Sequence, residues 1–250
     1  MKREPALNIP PVIVAVLAVL ALVHAVRVFV LTPDQNYELL WLLAFNPMRY
    51  GMGLLPPAAL PGGLGAQIWT FVTYALLHAS WIHLGVNAIW FLPFGSAVAR
   101  RFGALRFLIF FAVTAAAGAL AHLFAYGGQN APVIGASAAI SGTMAGAMRF
   151  AFQRGGPLSF WRTGGDADFR VPAAPLSRLL HEPAVLVFLV VWFGINLLFG
   201  LISLPTGMGG GEVVAWQAHV GGFLAGLLLF SWFDPAADFR QFGSGSATRH

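Results

Sequence analysis

Six stretches of this chain are apolar over roughly twenty residues each, which is long enough for an α-helix to cross the hydrocarbon core of a membrane. Hydrophobic residues make up 58% of the 250 residues and charged residues only 9%, whereas soluble domains carry about 25% charge. A single soluble core could not bury so much apolar surface, so lipid must be the main solvent. The sequence therefore predicts an all-α membrane protein, a bundle of six transmembrane helices near residues 9–31, 81–99, 107–126, 133–152, 184–204 and 213–233.

Lysine and arginine residues are distributed unevenly between the two sides of such a bundle. Twelve of the 14 lie on one side, and only Arg27 and Arg49 lie on the other. Because cytoplasmic loops carry this excess, we expect both termini to be cytoplasmic. The first apolar stretch follows Lys2 and Arg3 and is too long for a signal-peptide core, so we expect it to be retained as a span. The compact six-span plan and the missing transit peptide indicate a bacterial inner membrane.

Three regions outside the spans have distinct compositions. Residues 32–67, the first outer loop, combine apolar residues with prolines, so we expect this loop to be partly embedded in the membrane as short helices. Residues 153–183 are polar, basic and rich in glycine and proline, which is typical of a flexible cytoplasmic connector. Residues 234–250 are predicted to form a flexible cytoplasmic tail, and residues 1–233 a single membrane domain.

Several classes of site are excluded or disfavoured by composition. The absence of cysteine excludes a disulfide, a thiolate nucleophile and a zinc–thiolate site. The net charge of +5 does not indicate nucleic-acid binding, because the basic residues flank apolar segments instead of forming a stripe with aromatics. His78 and His83 lack the spacing and the acidic partner of a helical metal site, so we expect no metal and no cofactor. The mid-span positions are almost wholly apolar, which disfavours a channel or transporter.

Polar residues inside the predicted spans are few, and some of them lie at matching depth. The second, fourth and sixth spans run in the same direction, and they begin near His83 and Asn87, near Ser137 and near His219. A hydroxyl needs a neighbouring base to become a nucleophile, and an imidazole is the usual one. No Asp or Glu lies in the middle of a span, so the residues indicate a Ser137–His219 dyad with hydrolytic chemistry. Asn196, in the fifth span, is expected only to satisfy a hydrogen bond between helices, as are His24 and His122.

Attack on an amide carbonyl creates an oxyanion that needs preorganised donors. The Asn87 amide and a His83 ring N–H share one helix face, because the two residues are four positions apart. Backbone N–H groups at the start of the fourth span are unpaired and can add to them. Ser141 competes with Ser137 as the nucleophile because it precedes a glycine, but it lies one turn deeper, away from water.

Glycines spaced four apart occur in the fourth and sixth spans. Such pairs let two helices approach closely, and this approach would bring Ser137 to His219. The pairs are Gly142 with Gly146 and Gly222 with Gly226.

The order, spacing and span placement of these motifs resemble the rhomboid intramembrane serine proteases in their basic six-helix form, over roughly residues 69–233. The resemblance implies that Ser137 is the nucleophile and that His219 is the base. It also implies an oxyanion site made of His83, Asn87 and the Ser137 backbone N–H. The motifs are Gly135-x-Ser137, His83-x-x-x-Asn87 preceded by His78, and Ala218-His219-x-x-Gly222-x-x-x-Gly226, in which His78, Gly135, Gly222 and Gly226 have supporting roles.

The resemblance further implies cleavage of single-span membrane proteins near the outer face, without metal or ATP. The expected partners are a transmembrane protein substrate and the lipid bilayer, and the oligomeric state is left open. The alternative is a catalytically silent rhomboid-like protein that binds or chaperones membrane helices. A lost dyad residue would favour that alternative, and neither residue is lost.

Three positions depart from the family pattern. Ala138 follows the serine where the family usually has glycine. Ser141 replaces an aromatic residue beneath the histidine ring, so a hydrogen bond would replace ring stacking. Thr70 follows Trp69 where a Trp-Arg pair is common, so an arginine clamp of the first outer loop based on that pair is missing.

Overall fold

A computed structural model describes residues 9–51, 60–159, 165–201 and 215–235. Within these ranges the chain is helical, with a single antiparallel bridge between Phe45 and Val133 and no strand, which confirms the predicted all-α class. Short 3₁₀ turns occur at Pro47–Tyr50, Tyr74–Leu76 and Asp166–Arg170. The α-helices are α1 (Pro11–Phe29), α2 (Pro33–Leu43), α3 (Gly63–Thr73), α4 (Trp81–Phe102), α5 (Ala104–Tyr126), α6 (Ser137–Met148), α7 (Leu176–Leu179), α8 (Pro183–Leu201) and α9 (Trp216–Phe233).

Each of the six predicted spans overlaps one of the helices α1, α4, α5, α6, α8 and α9. Of the described helices, α1, α4 and α5 are long and apolar enough to cross a membrane. In α8 the apolar stretch that is described, Pro183–Leu198, is shorter. The count of six crossings therefore stays a prediction. Some predictions fall on residues outside the described ranges. They concern Lys2 and Arg3, part of the first outer loop, part of the connector, the end of span five, the start of span six, and the tail. The residues are 1–8, 52–59, 160–164, 202–214 and 236–250.

The short helix α6 lies at the centre of the bundle. Its 12 residues begin at Ser137, and every position from Ala138 to Met148 is buried against α4, α5 and α9. The predicted span 133–152 is longer than this helix because Val133 pairs with Phe45 instead of being helical, and because the helix ends at Met148. A helix that is enclosed by protein does not need to cover the full hydrocarbon thickness with its own apolar surface.

Local sequence signals set where α4 begins. The Ser80 hydroxyl accepts a hydrogen bond from the His83 backbone N–H at 3.1 Å, as expected of a serine N-cap. Gly103, with φ of +78°, separates α4 from α5 at a turn that favours a residue without a Cβ. The cap at Ser80 places His83 in the first turn of α4 and Asn87 one turn later.

A buried ion pair holds the opposite end of the bundle. Arg101 on α4 donates two hydrogen bonds of 2.8 Å to Asp234 after α9, and both side chains are almost fully buried. Arg101 also donates to the carbonyls of Phe169 and Val171, which belong to the predicted connector. This part of the connector is therefore joined to α4 and α9, while its predicted flexibility stays a prediction.

The helix α8 contacts the rest of the bundle over a narrow strip. Trp192 stacks on Phe223 of α9 at 4.6 Å between ring centroids, and Phe188 packs against Phe94 and Phe152. Most of its other large side chains are exposed. These include Val187, Val190, Val191, Phe193, Leu197 and Leu198.

Candidate active site

The starts of α6 and α9 bring a serine and a histidine together. The Ser137 hydroxyl oxygen lies 2.7 Å from Nε2 of His219, within hydrogen-bond distance. Ser137 is the first residue of α6 and His219 is in the first turn of α9. The two residues are 82 positions apart in sequence, so only the packing of α6 on α9 brings them together.

Glycines allow this close packing. Gly222 faces the Ala138 carbonyl, and a Cβ at position 222 would overlap that oxygen. One turn further along α9, Gly226 faces the carbonyl of Gly142 in the same way. The α9 pair, Gly222 and Gly226, thus lies at the α6–α9 contact, as small residues do where helix backbones approach. Gly142 contributes its backbone to this contact, whereas a Cβ at Gly142 would meet Thr114 of α5.

A third polar side chain contacts the histidine. Oδ1 of Asn196 on α8 lies 2.5 Å from Nδ1 of His219, and Nδ2 of Asn196 donates to the Trp192 carbonyl at 2.7 Å. Asn196 is buried. The sequence predicted a hydrogen bond between helices for this residue but did not assign it to the site. The available signal was an amide in an otherwise apolar span.

His83 and Gly135 form another wall of the site. A Cβ at position 135 would lie 2.9 Å from Nε2 of His83 and 3.7 Å from the Ser137 hydroxyl oxygen. Gly135 also has φ of +121°, which residues with a Cβ rarely adopt. Its N–H donates to the carbonyl of Tyr74 at 3.0 Å. Glycine is thus required here both by its backbone conformation and by the closeness of the imidazole.

Asn87, the other predicted oxyanion donor, is buried on the α4 face that carries His83. Its side-chain N–H groups have no hydrogen-bond partner among the described residues. A buried donor without a partner is costly, so such a group is suited to a ligand that arrives during a reaction.

His78, in the segment before α4, contacts His83. The two rings make an edge contact with centroids 5.2 Å apart. The Arg27 guanidinium donates to the His78 carbonyl at 2.7 Å and to the Asn36 side chain at 2.9 Å, linking α1 to the first outer loop. Burial of the ring lowers the pKa of His78 to about 3, and the neighbouring His83, His24 and Arg27 add to this effect. His78 is therefore neutral at physiological pH.

Ser141 does not take over the place of the missing aromatic residue. Its hydroxyl donates to the Ser137 carbonyl at 2.8 Å, within α6, so it bonds to its own helix and makes no described bond to His219. The hydroxyl of Ser141, the competing candidate for the nucleophile, therefore already has a hydrogen-bond partner.

The first outer loop uses a different arginine from the one that the family pattern places after Trp69. Arg49 is fully buried and donates to the carbonyls of Trp41 and Pro61. Trp69 donates through its ring N–H to the carbonyl of Leu42 at 2.8 Å, while the Thr70 hydroxyl donates to the Ala66 carbonyl within α3. An arginine thus joins the segments of this loop although the Trp-Arg pair is absent.

Metal ligands are not gathered at this site. In residues 9–51, 60–159, 165–201 and 215–235, no group of three histidine, aspartate or glutamate side chains could hold a metal ion. The expectation that the chain uses no metal or cofactor stays a prediction.

Comparison with known families identifies the fold. A family model for the rhomboid domain matches residues 65–234, about two thirds of the chain. The chain belongs to the rhomboid family. It is therefore an integral membrane protein, in agreement with its apolar helices.

Curated relatives of this rhomboid include proteins of Yersinia and Haemophilus. The chain is 26% identical over 166 residues to the rhomboid protease GlpG of Yersinia pestis, which is 66% of this chain and 48% of the relative. It is 31% identical over 51 residues to the rhomboid protease GlpG of Haemophilus influenzae, 20% of this chain and 27% of the relative. The chain thus spans about half the length of the Yersinia relative.

Proposed function

We propose that this rhomboid is an intramembrane serine endopeptidase in which Ser137 is the nucleophile and His219 the general base. The observation that carries the proposal is the 2.7 Å separation between the Ser137 hydroxyl and Nε2 of His219. A serine hydroxyl becomes nucleophilic when a positioned imidazole can accept its proton. Similarity to relatives that are named as rhomboid proteases adds support.

The reaction would proceed in two stages. In the first, the Ser137 oxygen attacks the carbonyl carbon of the substrate while its proton passes to Nε2 of His219. When the intermediate collapses, the C–N bond breaks and the leaving amine takes that proton. In the second stage His219 takes a proton from water, the hydroxide attacks the acyl-enzyme, and Ser137 is released with its proton restored.

The negative oxygen of each intermediate needs donors that are already in place. His83 can donate a ring N–H beside Gly135, and Asn87 can donate its unpartnered side-chain N–H groups. The backbone N–H of Ser137 is at the start of α6, where helical N–H groups are unpaired and the helix dipole is positive. Gly135, which has no side chain, would leave space between His83 and the nucleophile. Gly222 and Gly226 would keep α9 close to α6.

The substrate would be a transmembrane segment that enters from the lipid and unwinds near the outer face. A peptide bond inside a helix has its carbonyl occupied by the i+4 N–H, so attack requires local unfolding. Segments with glycine, serine or proline near the outer end unfold at the lowest cost, and we expect them to be preferred. A bacterial inner membrane with cytoplasmic termini is the proposed setting.

A reconstituted assay tests the proposal. The full chain and Ser137→Ala are placed in liposomes with a single-span reporter protein, and cleavage products are followed by mass spectrometry. We expect cleavage by the wild type and none by Ser137→Ala. Undiminished cleavage by the variant would refute the assignment of the nucleophile.

Labelling separates the protease from the silent helix-binding alternative. A fluorophosphonate probe should label Ser137 in the wild type and fail to label His219→Ala, because an unactivated hydroxyl reacts slowly. Reporter binding without labelling or cleavage would favour the binding protein.

A further inference from the structure

A chain of three hydrogen bonds leads from a backbone carbonyl to the serine hydroxyl. The Trp192 carbonyl accepts from Nδ2 of Asn196 at 2.7 Å, Oδ1 of Asn196 contacts Nδ1 of His219 at 2.5 Å, and Nε2 of His219 contacts Ser137 at 2.7 Å. These three hydrogen bonds join α8, α9 and α6.

The direction of each bond follows from its chemistry. A carbonyl oxygen only accepts, so the NH₂ group of Asn196 must face Trp192 and its Oδ1 must face His219. Because Oδ1 also only accepts, Nδ1 of His219 must carry the proton. A neutral imidazole with a proton on Nδ1 has its lone pair on Nε2, the atom that faces Ser137.

We propose that Asn196 is a positioning residue that holds His219 in the Nδ1–H tautomer and aims Nε2 at Ser137. This inference rests on the proposed function and deepens it, because it assigns a third member to what the sequence indicated as a dyad. Asn196 is buried behind the imidazole and does not touch the reacting atoms. It acts on the reaction through the orientation of the base, as the buried aspartate does in soluble serine proteases.

The inference predicts a particular pattern of kinetic effects. Asn196→Leu keeps the branching of the side chain at Cγ and removes the acceptor. We expect kcat to fall about tenfold or more, with KM nearly unchanged, because the imidazole loses its fixed tautomer while the substrate contacts remain. Asn196→Asp returns an oxygen acceptor toward His219, and it should restore kcat to within about threefold of the wild type.

A matched control separates this effect from a general disturbance of α8. Leu197→Ala changes the next residue, whose side chain is 56% exposed, and should leave kcat unchanged. Thermal unfolding in detergent checks that each variant is folded. Full kcat in Asn196→Leu would overturn the inference, and so would a folded Asn196→Asp that is as inactive as Asn196→Leu.

A second readout does not depend on proteolysis. ¹⁵N NMR of histidine-labelled protein, with His219→Gln used for assignment, should show a protonated Nδ1 and a bare Nε2 at His219 in the wild type. Asn196→Leu should give a mixture of tautomers, and an unchanged tautomer in that variant would contradict the inference. If the wild type showed this tautomer but cleaved no reporter, the positioning role would stand and the proposed protease function would fail.

Discussion

Gly222 on α9 lies against the backbone carbonyl of Ala138 on α6, one residue after Ser137. A Cβ at Gly222 would lie 2.7 Å from the carbonyl carbon of Ala138, a separation that real Cβ atoms do not show. The same helices hold the serine and the histidine, since His219 precedes Gly222 by one turn. The distance between the two helix backbones therefore sets the distance between the two catalytic candidates.

Gly222→Ala is expected to push α9 away from α6. The added methyl group meets backbone atoms, which cannot rotate aside, so we expect a loss of about 1–3 kcal/mol in the free energy of unfolding. Cleavage of the reporter should fall at least tenfold, because the serine–histidine bond lengthens. Unfolding in detergent and the liposome assay measure the two effects.

Gly194→Ala is the matched control for that substitution. A Cβ at Gly194 on α8 has nothing within 4 Å, and alanine is the better helix former by about 0.5–1 kcal/mol. We expect unchanged or slightly higher stability. If both alanine variants behaved alike, close packing at Gly222 would not be the cause.

Ser141→Ala should separate the two serines of α6. Its hydroxyl bonds to the Ser137 carbonyl within the helix, so its removal should cost less than about 1 kcal/mol of stability. Cleavage should stay within about threefold of the wild type, whereas Ser137→Ala should abolish it. Abolished cleavage in a folded Ser141→Ala, with activity retained in Ser137→Ala, would exchange the two roles.

Acidification should destabilise the fold through His78. Burial lowers the pKa of His78 to about 3 in the folded protein, compared with about 6.5 in an unfolded chain. Above pH 6.5 the ring is neutral in both states and has no effect. Between pH 6.5 and pH 3 only the unfolded state binds the proton, so stability falls as pH falls, by up to about 1.4 kcal/mol per pH unit.

The measurement compares free energies of unfolding in detergent at pH 7 and pH 5 for the wild type and for His78→Gln. Glutamine does not titrate, so this variant should lose less stability on acidification than the wild type. Equal losses in both proteins would show that other groups cause the pH dependence.

The buried pair of Arg101 and Asp234 should be sensitive to the loss of one partner. Asp234→Asn leaves the Arg101 charge buried without a counter-charge, and we expect a loss of about 3 kcal/mol or more. The double variant Arg101→Met with Asp234→Leu should cost less than the sum of the losses in Arg101→Met alone and Asp234→Leu alone. A double-mutant cycle on the free energy of unfolding measures this coupling.

The sequence was sufficient for the helical class and for the meeting of Ser137 with His219. Ser137 and His219 could be predicted as partners because both begin spans that run in one direction, and helix geometry then places them at equal depth. The glycines of α9 could be predicted to lie at a close contact because only small residues permit one.

Asn196 shows where prediction from the sequence stopped. Hydropathy shows that an amide lies inside a span, but it does not show which neighbouring helix the amide faces. The rotation of α8 cannot be predicted, because α8 is apolar on every side and has no polar face. Its contact with His219 depends on the rotation of α8 about its own axis. The start of α6 at Ser137 could not be predicted either, since the apolar residues from Val133 onward continue the hydrophobic run although they are not helical.

The narrow contact between α8 and the rest of the bundle affects when cleavage can follow substrate entry. Most of the large side chains of this helix are exposed, and the same helix supplies the Asn196 oxygen that contacts His219. A transmembrane segment that wedged α8 outward to gain entry would carry Asn196 away from His219 and leave the base unaligned. The substrate would then not be cleaved while it enters, and cleavage would require α8 to return to its position beside α9.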